Sequence, residues 1–222
     1  GMASSTVENY LKQILMVTLD ENCTKVTMGK VASELSVTPG TATSMVKNME
    51  RDGWLKYYPR QGVALTRKGR KLAMNMLRRH RLLETFLVET LGFDWSEIHV
   101  EAEEIEHAIS EKVVEKLDLF LGKPRYDPHG HPIPSKGGVI QRPSSRTLQS
   151  CKVGMKVKID SILDQESDFL KFARDKKLLP GKEVVIMSSE KVADAITLRV
   201  GRNSPISLGF RSAEKILVLE QH

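Results

Sequence analysis

The sequence predicts a mainly α N-terminal part, a winged helix-turn-helix plus a helical dimerisation domain, followed by a small all-β SH3-like C-terminal barrel. Three observations carry this expectation. Apolar residues recur at helical spacing from Tyr10 to Leu121. Two short β-rich runs flank a basic tip at Pro59–Gly62. Five strand-like runs then crowd into roughly the last 70 residues, a density suited to a small, partly open barrel.

Helix 1 is expected from Thr6 to Leu19, opened by a capping box of Ser5 and Glu8 and burying Tyr10, Leu11, Ile14, Leu15 and Val17. After a polar turn at Asp20–Lys25, a short helix over Thr27–Leu35 buries Met28, Val31, Ala32 and Leu35. Thr38 caps the next helix and Pro39 takes its first position; Ala42, Met45, Val46 and Met49 face inward, and Asp52-Gly53 ends it. The runs Trp54–Tyr58 and Val63–Thr66 complete a β-hairpin, the wing.

In such a module the third helix enters the DNA major groove with its N-terminal residues nearest the bases. The candidate contacts are Thr38, Pro39, Gly40, Thr41, Thr43 and Ser44. They are small, and no Arg or Asn fork is available there for bidentate base reading, so direct readout is expected to be sparse. Lys47, Arg51 and Arg60 suit the phosphate backbone, with Lys56 as a further candidate.

Helices over Arg67–Leu91, Ser96–His107 and Ser110–Leu121 build the middle region, and a two-fold DNA site would match a homodimer. Five prolines in 122–150 mark a linker, partly ordered at best. The strand candidates are Met155–Ile159, Glu183–Met187, Ala195–Val200, Ser204–Leu208 and Lys215–Leu219, with one helical insertion at Asp164–Arg174. The expected domains are therefore 6–75 for DNA binding, 76–122 for the helical region, 123–150 for the linker and 151–222 for the barrel.

Composition narrows the function. Of 222 residues 40% are hydrophobic and 28% charged, enough for two modest domains. No run approaches the roughly 18–20 apolar residues of a membrane span, and no basic-then-apolar leader is seen, so a cytoplasmic protein without a membrane partner is expected. Cys23 and Cys151 form no C-x-x-C pair, which fits a reducing compartment. Residues 1–75 carry 11 basic and 6 acidic side chains, and 76–122 carry 5 basic and 11 acidic. The first segment suits a polyanion; the second suits cations or a basic partner surface.

The acidic middle also concentrates histidines. His80 and Glu84 stand four apart on one helix and point the same way. At about 100° per residue, with His99 at zero, Glu103 falls near 40°, Glu106 near −20° and His107 near 80°, one shared stripe. Mixed nitrogen and oxygen donors without a thiolate suit Mn²⁺, Fe²⁺ or Zn²⁺. A polar helix with solvated glutamates is the alternative reading.

The run Arg79-His80-Arg81-Leu82-Leu83-Glu84, with His99-x-x-x-Glu103-x-x-Glu106-His107, resembles the diphtheria-toxin-repressor family of metal-dependent transcriptional repressors. Met49–Gly53, Leu65-Thr66-x-x-Gly69 and Pro132-Ile133-Pro134 match it too, and the likeness weakens in the C-terminal barrel. The resemblance implies a repressor of metal-uptake genes acting on operator DNA, with two metal sites per subunit. One takes a helix 1 residue with Glu103, Glu106 and His107; the other takes His80, Glu84 and His99, completed in some members by the C-terminal domain.

A Glu rather than a Cys at 103 is similar to the manganese-responsive branch, so Mn²⁺ is the expected effector and Fe²⁺ the alternative. The family's helix 1 ligand is Met or Asp, whereas this chain has Asn9, with neighbouring Glu8 as a substitute. In the barrel the completing positions align with Gln165 and Asp168. Asp127-Pro128-His129 resembles a segment that supplies ligands in manganese-type members, which makes His129 a candidate; His131 is read as a loop residue. Two rivals stand beside this: a winged-helix regulator answering a small organic effector, and, more remotely, a di-metal hydrolase.

Overall fold

A computed structural model of the protein describes residues 3–221. Two compact units are present. The first gathers residues up to His80 with Glu104–Val114 and Pro134–Val139; the second gathers Arg81–Glu103, Glu115–Ile133 and the chain from Ile140 onward.

In the first unit, α1 (Ser5–Asp20) is capped by Ser4, whose hydroxyl accepts from the Val7 amide at 3.2 Å. This corrects the expected box of Ser5 and Glu8: the cap lies one residue earlier, and the Glu8 carboxylate is engaged elsewhere. Helix α2 (Met28–Leu35) is capped by Thr27 and closed by Ser36 in the left-handed conformation at φ 54°. The Thr38 hydroxyl accepts from the Thr41 amide and Pro39 opens α3 (Pro39–Arg51), as its spacing predicted. Their inward faces meet Tyr10, Leu11, Ile14 and Leu15 in one core, to which α3 adds Ala42, Val46 and Met49.

The wing pairs β1 (Leu55–Tyr58) with β2 (Gly62–Leu65), antiparallel, Leu55 opposite Leu65 and Tyr58 opposite Gly62. Gly62 has φ 113°, and a Cβ there would stand 2.0 Å from the Val26 carbonyl oxygen, so only glycine fits. The motif Thr66-x-x-Gly69 acquires a physical reason. Thr66 Oγ1 donates to the carbonyls of Gly53 (2.7 Å) and Trp54 (3.0 Å) and accepts from Gly69 N at 3.1 Å. A Cβ on Gly69 would meet the Trp54 oxygen at 1.8 Å. The wing is thereby stitched to the start of α4 (Arg67–Glu89), one continuous helix whose residues divide between the units.

Helix α5 (Ile98–Ile105) is shorter than the periodicity implied. The Ala108 amide bonds back to the Ile105 carbonyl at 3.0 Å, tightening the chain out of the helix, so Glu106 and His107 sit in the turn after α5. Helix α6 (Glu111–Phe120) follows.

In the second unit, six strands form one antiparallel sheet in the order β3-β8-β4-β5-β6-β7: β3 (Arg146–Thr147), β4 (Lys156–Ile162), β5 (Glu183–Glu190), β6 (Ala195–Val200), β7 (Ile206–Gly209) and β8 (Ile216–Glu220). Helix α7 (Ser167–Asp175) buries Phe169, Leu170 and Ala173, and a short α8 (Phe210–Ala213) precedes β8. Five strands were expected; the sixth is the two-residue β3, too short to leave a pattern. Alternate residues Val157 and Ile159, Val184 and Ile186, Ile196 and Leu198, and Ile216 and Val218 fill its core. The stretch read as a linker is no simple tether, because Asp127, His129 and His131 within it are buried.

Candidate metal centre

In the first unit, α1 presents Glu8, Asn9 and Lys12, α4 presents His80, and the turn after α5 presents Glu106 and His107. Arg79 holds that turn in place: its guanidinium donates to the Ile109 carbonyl and, at 3.4 Å, to the Glu106 carbonyl. The His107 ring stands 3.0 Å from Glu8 Oε1 through Nδ1 and 3.0 Å from Asn9 Oδ1 through Nε2. With Nδ1–H donating to Glu8, the Nε2 lone pair faces Asn9 Oδ1 and, at 3.5 Å, Glu106 Oε1. Three electron-pair donors from two elements thus converge. The carboxylate behind the imidazole orients it as carboxylates do behind metal-binding histidines.

Both Glu106 oxygens are engaged. Oε1 lies 2.5 Å from Lys12 Nζ, and Oε2 lies 2.6 Å from His80 Nδ1, with lysine and glutamate both fully buried. Burial alone would raise the Glu106 carboxyl, but the His80 hydrogen bond and the charges of His80 and Lys12 outweigh it and hold it at about 2. When His80 Nδ1–H donates to Glu106, Nε2 is left as its electron-pair donor.

In the second unit, Glu84 of α4 and His99 of α5 bring ligand atoms within 4.8 Å of each other. His99 Nε2 also lies 3.5 Å from Glu103 Oε1, so Glu103 is placed beside His99. A more enclosed set joins Glu84 to Asp127 and His129, all three buried, with ligand atoms within 4.8 Å of one another.

The local chain explains it. Asp127 Oδ1 accepts from the amides of His129 and His131, each at 2.9 Å, folding the loop around the carboxylate. Gly130 sits at φ 89° with the Asp160 carbonyl oxygen 2.0 Å from any added Cβ. His129 Nε2–H donates to the Trp95 carbonyl at 2.8 Å, which fixes the tautomer and leaves Nδ1 unprotonated, 3.5 Å from Glu84 Oε2.

His129 Nδ1 and Asp127 Oδ2 are buried and have no hydrogen-bond partner. Two buried lone-pair donors facing a third donor, the Glu84 carboxylate, carry a desolvation cost that a cation would offset, so these residues fit a divalent ion. Burial would raise the Asp127 carboxyl, but His131, His129 and Arg81 facing it hold it well below the usual carboxylate range.

Of the sequence-predicted ligands, Asn9, Glu106 and His107 are brought together, as are Glu84 with His99 and with His129. Asp168 is exposed in the first turn of α7 and joins neither group. Asp127 was missed as a candidate; an Asx-type residue two before His129 in a Pro- and Gly-containing loop is the signal that marked it.

Among the expected DNA contacts, Thr38, Pro39, Gly40, Thr41, Ser44 and Lys47 are exposed along α3. Thr43 Oγ1 is spent on the Pro39 carbonyl at 2.9 Å, and Arg51 bonds Asn48. Arg60 stands exposed at the wing tip at φ 65°. Lys25, read only as part of a polar turn, lies 4.6 Å from the Tyr58 ring centroid and adds its charge to the wing.

The chain is similar to known proteins along most of its length. Residues 2–63 match the model of the iron-dependent repressor N-terminal DNA-binding domain, 66–135 that of the iron-dependent repressor metal-binding and dimerisation domain, and 146–220 that of the FeoA domain. The iron-dependent repressor IdeR of Mycobacterium tuberculosis is 39% identical over 129 residues, covering 58% of this chain and 55% of that protein. The chain therefore spans about half the length of the curated relatives it matches first.

The regulator MntR of Lysinibacillus sphaericus is 34% identical, over 52% of this chain and 81% of that one. A solved manganese-dependent transcriptional repressor in complex with manganese superposes with a TM-score of 0.90 at 32% identity, over 97% of this chain and 100% of that one. Matched in order from the DNA-binding domain to the β-sheet, the chain belongs to the diphtheria-toxin-repressor family, in the form that ends in an SH3-like domain.

Proposed function

We propose that this chain is a metal-dependent DNA-binding transcriptional repressor that controls metal-ion homeostasis genes as a homodimer on double-stranded operator DNA. The observation that carries the reading is the buried Glu84–Asp127–His129 set, in which Asp127 Oδ2 and His129 Nδ1 lack hydrogen-bond donors inside a family whose matched model is a metal-binding domain.

One ion is assigned to Glu84, Asp127, His129 and His99. The other is assigned to Asn9, Glu106 and His107, with Glu8 orienting His107. Oxygen and imidazole donors without a thiolate favour Mn²⁺, with Fe²⁺ as the alternative. A bound ion supplies charge neutralisation and a fixed coordination geometry; the chain's own residues hold α1 against the turn after α5.

Exposed Leu119 and Phe120 on α6 offer apolar surface for a second subunit. Lys47, Arg60 and Lys25 are assigned to phosphates, and Thr41 and Ser44 to the groove floor.

The test is calorimetric titration of Mn²⁺ into stripped protein, repeated anaerobically with Fe²⁺, alongside anisotropy on duplexes selected from a random pool by the Mn²⁺-loaded protein. Two ions per chain and metal-dependent duplex binding are expected, with one ion lost in His107→Ala. Duplex binding equal with and without metal defeats the reading and moves the search to organic effectors.

A further inference from the structure

Lys12 is fully buried, and its ammonium stands 2.5 Å from Glu106 Oε1, an oxygen assigned to an ion, and 3.4 Å from His80 Nδ1. Lysine is among the residue types most rarely buried, and a buried ammonium persists only when a carboxylate compensates it. Glu106 Oε1 is also the oxygen that lies 3.5 Å from His107 Nε2. One carboxylate oxygen therefore faces both the lysine and the histidine that would ligate a metal.

We infer that Lys12 is a resident competitor of the metal: its ammonium occupies Glu106 Oε1, the oxygen that faces His107, and so lowers this cluster's affinity for a divalent ion. The inference rests on the assignment of Asn9, Glu106 and His107 to metal. Metal entry is then a cation exchange at Glu106. The oxygen that pairs with Lys12 must be shared with, or surrendered to, the incoming ion, and the ammonium repels a dication across a few ångströms of poorly polarisable interior. The repulsion is not removed by placing the ion on the His107 side, because Lys12 and His107 address the same oxygen.

The experiment uses the full chain carrying Asp127→Asn, so that calorimetry with Mn²⁺ reports on this cluster. Lys12→Met keeps the stem's volume and removes the charge; Lys12→Arg keeps a cation. Lys12→Met is expected to bind Mn²⁺ at least about ten-fold tighter, while losing thermal stability without metal because Glu106 has lost its ammonium. Lys12→Arg is expected to stay within about three-fold of the parent. Lys12→Gln, which keeps a hydrogen-bond donor to Glu106 without the charge, is expected, like Lys12→Met, to bind Mn²⁺ more tightly than the parent.

Unchanged or weaker Mn²⁺ binding by a folded Lys12→Met overturns the inference. If Lys12→Met folds only when Mn²⁺ is added, metal is replacing the missing cation, which supports it. If it folds in neither state, Lys12→Gln decides, and Mn²⁺ binding there no tighter than the parent's counts against the inference. Failure of the underlying assignment is separately visible: His107→Ala in the same background would bind Mn²⁺ as the parent does.

Discussion

Replacing Asp127 with asparagine separates its role as a ligand from its role in folding the loop. Its carboxylate has two jobs on two oxygens. Oδ1 accepts the amides of His129 and His131 at 2.9 Å, and Oδ2 faces Arg81 Nε at 4.0 Å and His131 Nδ1 at 3.6 Å. Asparagine keeps an acceptor for the two amides but puts an NH₂ where Oδ2 was, so it removes the charge and the ligand atom while sparing the turn. Hydrogen bonds to charged groups contribute about 1.5–3 kcal/mol and neutral ones about 0.5–1.5, so weakening two of them costs roughly 2–3 kcal/mol without metal.

Asp127→Ala loses both bonds and takes away the carboxylate that faces Arg81, for roughly 3–6 kcal/mol. Urea unfolding of the metal-free proteins, followed by Mn²⁺ calorimetry, reads both quantities. Asp127→Asn should stay folded and bind one ion fewer per chain. Two ions bound with parental affinity would refute Asp127 as a ligand, and an alanine variant as stable as the asparagine one would refute the account of the loop.

Glu106 makes stability acid-sensitive. Its folded value is held down from the ordinary 4.5 to about 2, so its contribution is complete above the unfolded value and lost as pH falls from about 4.5 towards 2, up to about 3 kcal/mol; urea midpoints of metal-free protein at pH 7, 4 and 3 check this. Two helix glycines should answer alanine with opposite signs. Gly29 of α2 has nothing within 4 Å of an added Cβ, so Gly29→Ala gains about 0.5–1 kcal/mol. Gly69→Ala, driven to 1.8 Å from the Trp54 oxygen, loses more than about 2 kcal/mol, and thermal unfolding separates the two. Lys47→Ala and Arg60→Ala should each weaken duplex binding across sequences and reduce the salt slope by about 1; a change confined to one base position would mark a base contact instead.

The parts of the fold legible in the sequence are those where local chemistry and burial agree. Thr38-Pro39 opens α3 and Asp52-Gly53 closes it because the cap and the stop are written in adjacent residues. Strands β4 and β5 each run three residues past their expected ends, through bulges at Asp160 and Met187 that shift the pairing.

The donor sets were half legible. His80 and Glu84 follow from one helix's period, whereas Asn9, with Glu8 beside it, comes only from the family resemblance. Extending the wheel through Glu106 and His107 failed physically, because α5 ends at Ile105 and the last two donors are aimed by a turn that Arg79 holds. Lys12 carries no local sign of its burial; only the pairing of α1 with a residue 94 positions later reveals it. Asp127 and His129 lay in a Pro-rich stretch that composition assigns to a linker, and composition says nothing of which backbone amides a carboxylate will gather.

The join at Thr66 and Gly69 has a mechanical meaning. It leaves no slack between wing and helix: a side-chain hydroxyl clamps two carbonyls, and a glycine hydrogen rests against one of them. From Arg67 to His80 the helix runs about 20 Å, so a tilt of about 5° at the histidine end swings the other by nearly 2 Å. A hinge at the joint would absorb that swing before it reached the wing. Without one, Arg60 and the wing strands inherit the movement undamped, and small angular changes at His80 arrive at the nucleic-acid face as displacements comparable to the gap between a hydrogen bond made and a hydrogen bond missed.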